Sequence, residues 1–292
     1  MAWGARQWLA IMPESTYGTY NTGGTLIYIR LASDNAFSMN PTVLSEDIRD
    51  AGGGNRKVQR VATRKSHAGS LTTPLYPTQA NALLAWGATI SSNDLGSYSI
   101  NHYDGVRTRR YLGVKVGKLG LACSPTSHLI LSLDLVAQTT ASDPTFAEPA
   151  FSSFPTELPY TFQQSSGQFS VAASARTRYN SFALSIVNML KPQFEELDYI
   201  SSLPYCGRDV SFTTSFQYSA STDTAAYEAQ TSLDTTIAFV HGTNTLTLDF
   251  QSVGKLSSRA RSMPLGDISR EDYTLDAFYE SAGGTDFGFT VA

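Results

Sequence analysis

Charge is what this sequence has least of. Asp, Glu, Lys and Arg make up 16% of the 292 residues, against roughly 25% in an average soluble domain. The formal net charge is −4, and basic clusters such as Arg107, Arg109 and Arg110 are short and split between two faces at strand spacing. Gripping nucleic-acid phosphates takes a sustained basic surface, and none is written here. Cysteine is scarce as well. Cys123 and Cys206 lie far apart, do not make a disulfide framework, and read as reduced, mostly buried thiols. No run of about 18 apolar residues is available to span a membrane. The stretch Met1–Met12 lacks the apolar core and cleavage site of a secretory signal. The triplet Asn40-Pro41-Thr42 is blocked as a glycosylation site by its proline. These absences describe a protein that is cytosolic when made.

Reactive constellations are missing too. His67, His102, His128 and His241 lie in separate segments, with no metal-ligand spacing. His102 and Asp104 can share a strand face, which reads as polar surface rather than a dyad. The run Gly113-Val114-Lys115-Val116-Gly117-Lys118-Leu119 is one residue short of a phosphate loop, has no hydroxyl after the lysine, and sits in a strand-like run. No G-x-S-x-G elbow occurs. Glu195-Glu196 and the pair Asp47 and Asp50 fall in loops. Tyr17, Tyr20, Tyr28, Tyr160 and Phe162 suit core and interface packing better than a sugar platform. No catalytic, cofactor or metal residue is assigned, and an enzyme is not expected.

What the sequence does have is an apolar share of 41%, rich in aromatics, with many hydroxyls. Val210, Phe212, Thr214, Phe216 and Tyr218 alternate with Ser211, Thr213, Ser215 and Gln217, the signature of a strand buried on one face. Thr245–Phe250 alternates likewise. Leu129–Val136 carries leucines on one face and a mixed second face. Shorter strands are predicted at Thr25–Ile29, Ser97–Tyr103, Tyr111–Lys118, Phe169–Ala173 and Phe182–Ile186. Helices are few. Thr78 is expected to cap one over Gln79–Trp86 with Gly87 as its stop. A weaker one is expected through Ala225, Tyr227 and Ala229.

The Pro-, Ser- and Thr-rich stretch Gln138–Pro159 reads as a linker and prompts a search for a repeat. Asn35-Ala36-Phe37-Ser38 resembles Asn180-Ser181-Phe182-Ala183, Ser70-Leu71-Thr72-Thr73 resembles Ser211-Phe212-Thr213-Thr214, and Val116-Gly117-Lys118-Leu119 recurs as Val253-Gly254-Lys255-Leu256, displaced by 145, 141 and 137 residues in the same order. The chain is therefore read as mainly β: two tandem antiparallel β-sandwich or barrel domains, 1–145 and 160–292, joined by a linker at 146–159, each with one short helix. Two long segments, Asn40–Lys57 with its Gly52-Gly53-Gly54 and Pro192–Asp209, read as irregular loops at matching places, and loops of that length are usually functional or disordered.

This layout resembles the tail tube proteins of long-tailed phages, in the class with two tandem tube domains. The residues carrying the resemblance are Glu14-Ser15-Thr16-Tyr17-Gly18-Thr19-Tyr20 after a short arm, Gly69-Ser70-Leu71 ahead of Pro77 and Ala82-Leu83-Leu84, the run from Leu119 to Val136, and in the second half Gly207, Val210–Tyr218 and Asp272–Tyr279. The resemblance implies a self-assembling virion protein whose domains close into a ring of three copies with pseudo-sixfold symmetry. Rings would stack around a tape-measure protein, end in tail terminator and tail-tip proteins, and later pass DNA without specific binding. Asp50, Gly52, Gly53, Gly54, Asn55, Arg56, Glu195, Glu196 and Tyr199 become candidates for ring stacking, and Trp3, Trp8 and Tyr17 for contacts of an N-terminal arm. A head–tail connector, a decoration protein and a carbohydrate-binding β-sandwich are the alternatives. Contractile and non-contractile tails are left open.

Overall fold

The computed structural model describes residues 7–31, 36–49, 57–142, 148–171, 174–176, 179–217, 227–250, 254–262, 270–277 and 286–292. The first half contains β1 (Trp8–Pro13), β2 (Ile27–Arg30), β3 (Ala36–Arg49), β4 (Lys57–Pro74), α1 (Pro77–Ala88), β5 (Ile90–Ser91), β6 (Asp94–Leu95), β7 (Tyr98–Tyr103), β8 (Thr108–Cys123), β9 (Ile130–Ala137) and β10 (Thr139–Ser142). The second contains β11 (Phe169–Val171), β12 (Ser174–Ala175), β13 (Tyr179–Leu190), β14 (Tyr205–Gln217), β15 (Thr235–His241), β16 (Asn244–Asp249), β17 (Gly254–Ser262), β18 (Arg270–Ala277) and β19 (Gly288–Val291).

The chain runs through one two-sheet plan twice. In one layer the order is β3-β4-β9-β8, continued without interruption by β13-β14-β18-β17. In the other layer β2-β1-β7 pairs with the first half of β8, which pairs with β10. Its counterpart is the sheet β12-β11-β15-β16-β19. β8 serves both layers because it bends. Gly113 sits at φ +61°, open to glycine and strained for other residues, and a Cβ there would lie 2.7 Å from that of Gln138. The second half divides the same path between β16 and β17.

The ladders fix how the halves superimpose. Ser38 faces Ser70 as Ala183 faces Thr213. The bulge between Val116 and Lys118 on β8 recurs between Leu256 and Ser258 on β17. Val116 opposite Leu135 therefore corresponds to Leu256 opposite Leu275. The sequence matches select the equivalent strands, but only the first has the right register. Ser70 matches Thr213 rather than Ser211, and Val116 matches Leu256 rather than Val253.

The layers enclose one core. Leu71, Leu119, Leu121, Leu131, Leu133 and Leu135 fill it in the first half, and Phe169, Phe182, Phe212, Phe239 and Phe250 in the second, all at most 1% exposed. The other face of the eight-stranded layer carries small and hydroxylated residues: Ser132, Gly120, Ala122, Ala183, Ser185, Ser211 and Thr213. Alternation along each strand produces this division.

Four local readings change. The helix begins at Pro77, with Tyr76 rather than Thr78 as N-cap. Thr78 instead donates its backbone N–H and hydroxyl to Glu157 Oε1, at 3.0 and 2.5 Å, so a carboxylate far along the chain satisfies the helix start. The helix continues through Gly87, where a Cβ would meet Leu119 Cδ1 at 2.6 Å. That glycine permits close packing and is not a stop. The linker begins later than Gln138, because residues 139–142 form β10. Tyr160, fully buried, exchanges backbone bonds with Leu75 and Leu129, so the end of the linker is pinned to the first half. Ala225 of the second expected helix lies outside the described residues, Tyr227 and Glu228 are helical, and Ala229 is already in a turn.

Candidate functional site

Side chains that converge on a reaction centre are not what this fold presents. Among the described residues no group of three or more His, Cys, Asp or Glu is placed to hold a metal. His102 packs edge-on against Phe37, and burial lowers its pKa. Asp104 accepts the backbone N–H groups of Val106 and Arg107, which holds the β7–β8 turn. Burial also lowers the pKa of His67. Among the described residues no helix is long and apolar enough to cross a membrane.

The notable surfaces are edges and one end. Among the described residues, β3 and β17 terminate the eight-stranded layer, each pairing with a named strand on one side, and Gly254 at the start of β17 also bridges Leu233. Their unpaired backbone groups are a template for another strand. Pro41, within β3, is of the type such edges tolerate.

The segment Asn40–Lys57, expected to be irregular, is largely a long hairpin. β3 pairs with β4 out to Arg49 and Lys57, beyond His67, where β9 stops pairing with β4. Past that point β4 has no ladder to β9, and Asp47 forms ion pairs with Lys57 and Arg60. Those two cations hold the Asp47 carboxyl down at about 2. Asp50, Gly52, Gly53, Gly54, Asn55 and Arg56 lie outside the described residues.

The irregular part of Pro192–Asp209 ends where β14 begins, at Tyr205. This loop is ordered. Gln193 O accepts from Ser201 N, Ile200 and Leu203 are buried, and Glu195 takes φ 44°. It meets the hairpin: Lys65 N donates to Asp198 O at 2.6 Å, Lys65 Nζ bonds Asp198 Oδ2 at 3.0 Å, and the Arg64 guanidinium lies 5.0 Å from the Phe194 ring centre. Glu195 and Glu196 are exposed beside this contact, and Tyr199 is half-buried. Leu44 and Leu197 are also exposed there, at 53% and 41%.

The N-terminal contacts divide. Trp3 lies outside the described residues. Trp8 belongs to β1 and is 5% exposed, so it is part of the sandwich and not of a free arm. Tyr17 is half-buried, its pKa raised by burial and then by the charges of Glu14 and Asp94. Glu14 staples this turn by accepting Gly18 N, Ser99 Oγ and Gly113 N. Lys115, 4% exposed, joins the same region to the second half through Asp94 and Leu203 O, at 2.7 and 2.9 Å.

Comparison with known families decides the identity. A model described as phage tail tube protein matches residues 4–285, nearly the whole chain. This chain belongs to the phage tail tube protein family. It is a structural component of the virion tail and not an enzyme. A search of curated proteins finds no significant match. Among the described residues, this tail tube protein has β3 and β17 at the ends of its eight-stranded layer and brings hairpin and loop together at one end.

The thiols differ from expectation in one respect. Cys123 is buried, its pKa raised to about 11, whereas Cys206 is exposed. Iodoacetamide at neutral pH is expected to modify Cys206 at least about tenfold faster than Cys123, since the thiolate is the nucleophile. Mass spectrometry of timed samples reads this, and equal rates would contradict the burial.

Proposed function

We propose that three copies of this chain close into a ring with pseudo-sixfold symmetry, and that rings stack head to tail into a tube through which DNA leaves the particle. One observation carries the reading: the β8–β13 joint. There the last strand of the first four-strand group pairs antiparallel with the first strand of the second, Leu119 opposite Ile186 and Cys123 opposite Phe182. The open edges, β17 and β3, are the equivalent strands, so a second copy can repeat outside the chain the joint made within it. Repetition around a circle pairs every edge, and a many-stranded barrel of this kind leaves an aqueous channel.

The face of small hydroxylated side chains would line that channel. Its charges among the described residues are sparse and mixed, with Asp134, Asp209, Asp272 and Asp276 against Lys118, Lys255 and Arg270. Such a wall offers little to hold phosphates, which suits passage of DNA. A tape-measure protein would occupy the lumen during assembly in the host cytoplasm, with tail terminator and tail-tip proteins at the ends. The hairpin end, with Leu44, Glu195, Glu196, Leu197 and Tyr199, would meet the next ring.

Negative-stain microscopy of the concentrated purified protein is expected to show hollow tubes or stacked rings, with three copies per ring by mass measurement. A persistent monomer would overturn the reading, and one that also binds an oligosaccharide would favour a carbohydrate-binding module.

A further inference from the structure

We infer that Val43 on the open β3 edge of one copy buries against the Tyr227–Gln230 turn, beside the buried Leu256, of the neighbouring copy. This rests on the ring reading above and specifies a contact within it.

The argument begins at the internal joint, where the second half ties down the end of α1. Asn188 Nδ2 donates to Gly87 O at 2.9 Å and to Val116 O at 3.0 Å. Arg208 Nη1 donates to Ala88 O at 2.6 Å. Asn188 thus reaches across from β13 to a carbonyl of β8 and to the helix end lying over it.

The ladders identify the counterparts at the open edges. Val43 faces Lys65 as Asn188 faces Arg208, so Val43 stands on β3 where Asn188 stands on β13. Leu256 stands on β17 where Val116 stands on β8. Tyr227–Gln230 lies beside β17 as the end of α1 lies beside β8, because Gln230 Nε2 donates to Leu256 O at 3.3 Å and to Tyr227 O at 2.9 Å.

The chemistry at the two joints differs in a way that fits. At the internal joint the strand carbonyl, Val116 O, is served by Asn188 from the neighbouring strand. At the open edge its counterpart, Leu256 O, is already served by Gln230 of the same copy. A residue arriving from a second copy has no such carbonyl to satisfy, and an apolar one suffices. Val43 is apolar and 49% exposed in the single chain. By strand alternation it points the same way as the buried Met39, toward the layer holding Tyr227, which packs against the core rim. The occupant is a second copy of this chain.

The test uses Val43→Cys with Tyr227→Cys in a Cys123→Ser, Cys206→Ser background. After assembly and mild oxidation, a non-reducing gel is expected to show covalent dimers and closed trimers. Tubes visible by microscopy with only monomers on the gel would overturn the contact and leave the ring reading standing. Absence of any ring would overturn both. Independently, Val43→Asp is expected to raise the concentration needed for assembly at least about tenfold by burying an unpaired carboxylate, with the monomer's melting temperature unchanged. Assembly of Val43→Asp at the wild-type concentration would overturn the contact as well.

Discussion

Replacing Arg208 with alanine is expected to lower the melting temperature by roughly 10 °C, from a loss of about 3–5 kcal/mol. The guanidinium is 6% exposed and holds two groups, a carboxylate and a helix-end carbonyl, through three contacts. Its Nε donates to Asp286 Oδ2 at 2.7 Å, its Nη2 pairs with Asp286 Oδ1, and its Nη1 donates to Ala88 O. Removing it strands a carboxylate that is 10% exposed and strips a cation from the C-terminal end of α1, where the helix dipole favours one. α1 has no basic residue in its own last turn, so the second half supplies what the first lacks. Removing both charges, in Arg208→Ala with Asp286→Ala, is expected to recover part of the loss, because an apolar pair costs less than an uncompensated ion. Thermal unfolding followed by circular dichroism measures all three proteins. An unchanged melting temperature for Arg208→Ala would show that the buried Arg208–Asp286 pair and its bond to Ala88 O add nothing to stability.

Shortening the hairpin is expected to abolish stacking and spare the fold. Leu44 and Arg64 are directly opposed in the ladder, so residues 45–63 can be replaced by an Asn-Gly turn, which matches the twist of the flanking strands. The removed part lies beyond the pairing of β4 with β9, and its Asp47 ion pairs are exposed ones of small energetic weight. The melting temperature should fall by no more than about 3 °C, while tubes give way to single rings in negative stain. Long tubes from the shortened protein would remove the hairpin from the stacking interface.

Whatever buries one face was legible in the sequence. Leu129–Val136, Val210–Tyr218 and Thr245–Phe250 alternate because one side meets the core, and Ile130–Val136, Val210–Gln217 and Thr245–Asp249 are strand in the structure. The helix centred on Leu83 and Leu84 was visible from its buried stripe. Thr42–Glu46 was not readable as strand because its side chains are all exposed in the single chain, so no alternation is written there. Trp8–Pro13, five of six residues buried, is covered on both sides and lacks a period for that reason. The capping of α1 by Glu157, Asn188 and Arg208 joins residues too far apart for any local pattern to reveal. The repeat was legible as strands and not as register. Bulges and small shifts move Val116 onto Leu256, and the recurrence of four letters at Val253 is coincidental. Glu195, Glu196 and Tyr199, named as stacking candidates, lie beside the hairpin. What sequence reading missed was Asp198, Phe194 and Lys65, which bring loop and hairpin together.

Hydrogen exchange on protein before and after assembly tests the central claim most directly. If copies join edge to edge by repeating the β8–β13 joint, amides of β3 between Ala36 and Leu44 and those of β17 should become strongly protected on assembly. Amides of β8 and β13, already paired within the chain, should change little. Assembled rings whose β3 and β17 amides exchange as fast as in the monomer would contradict it.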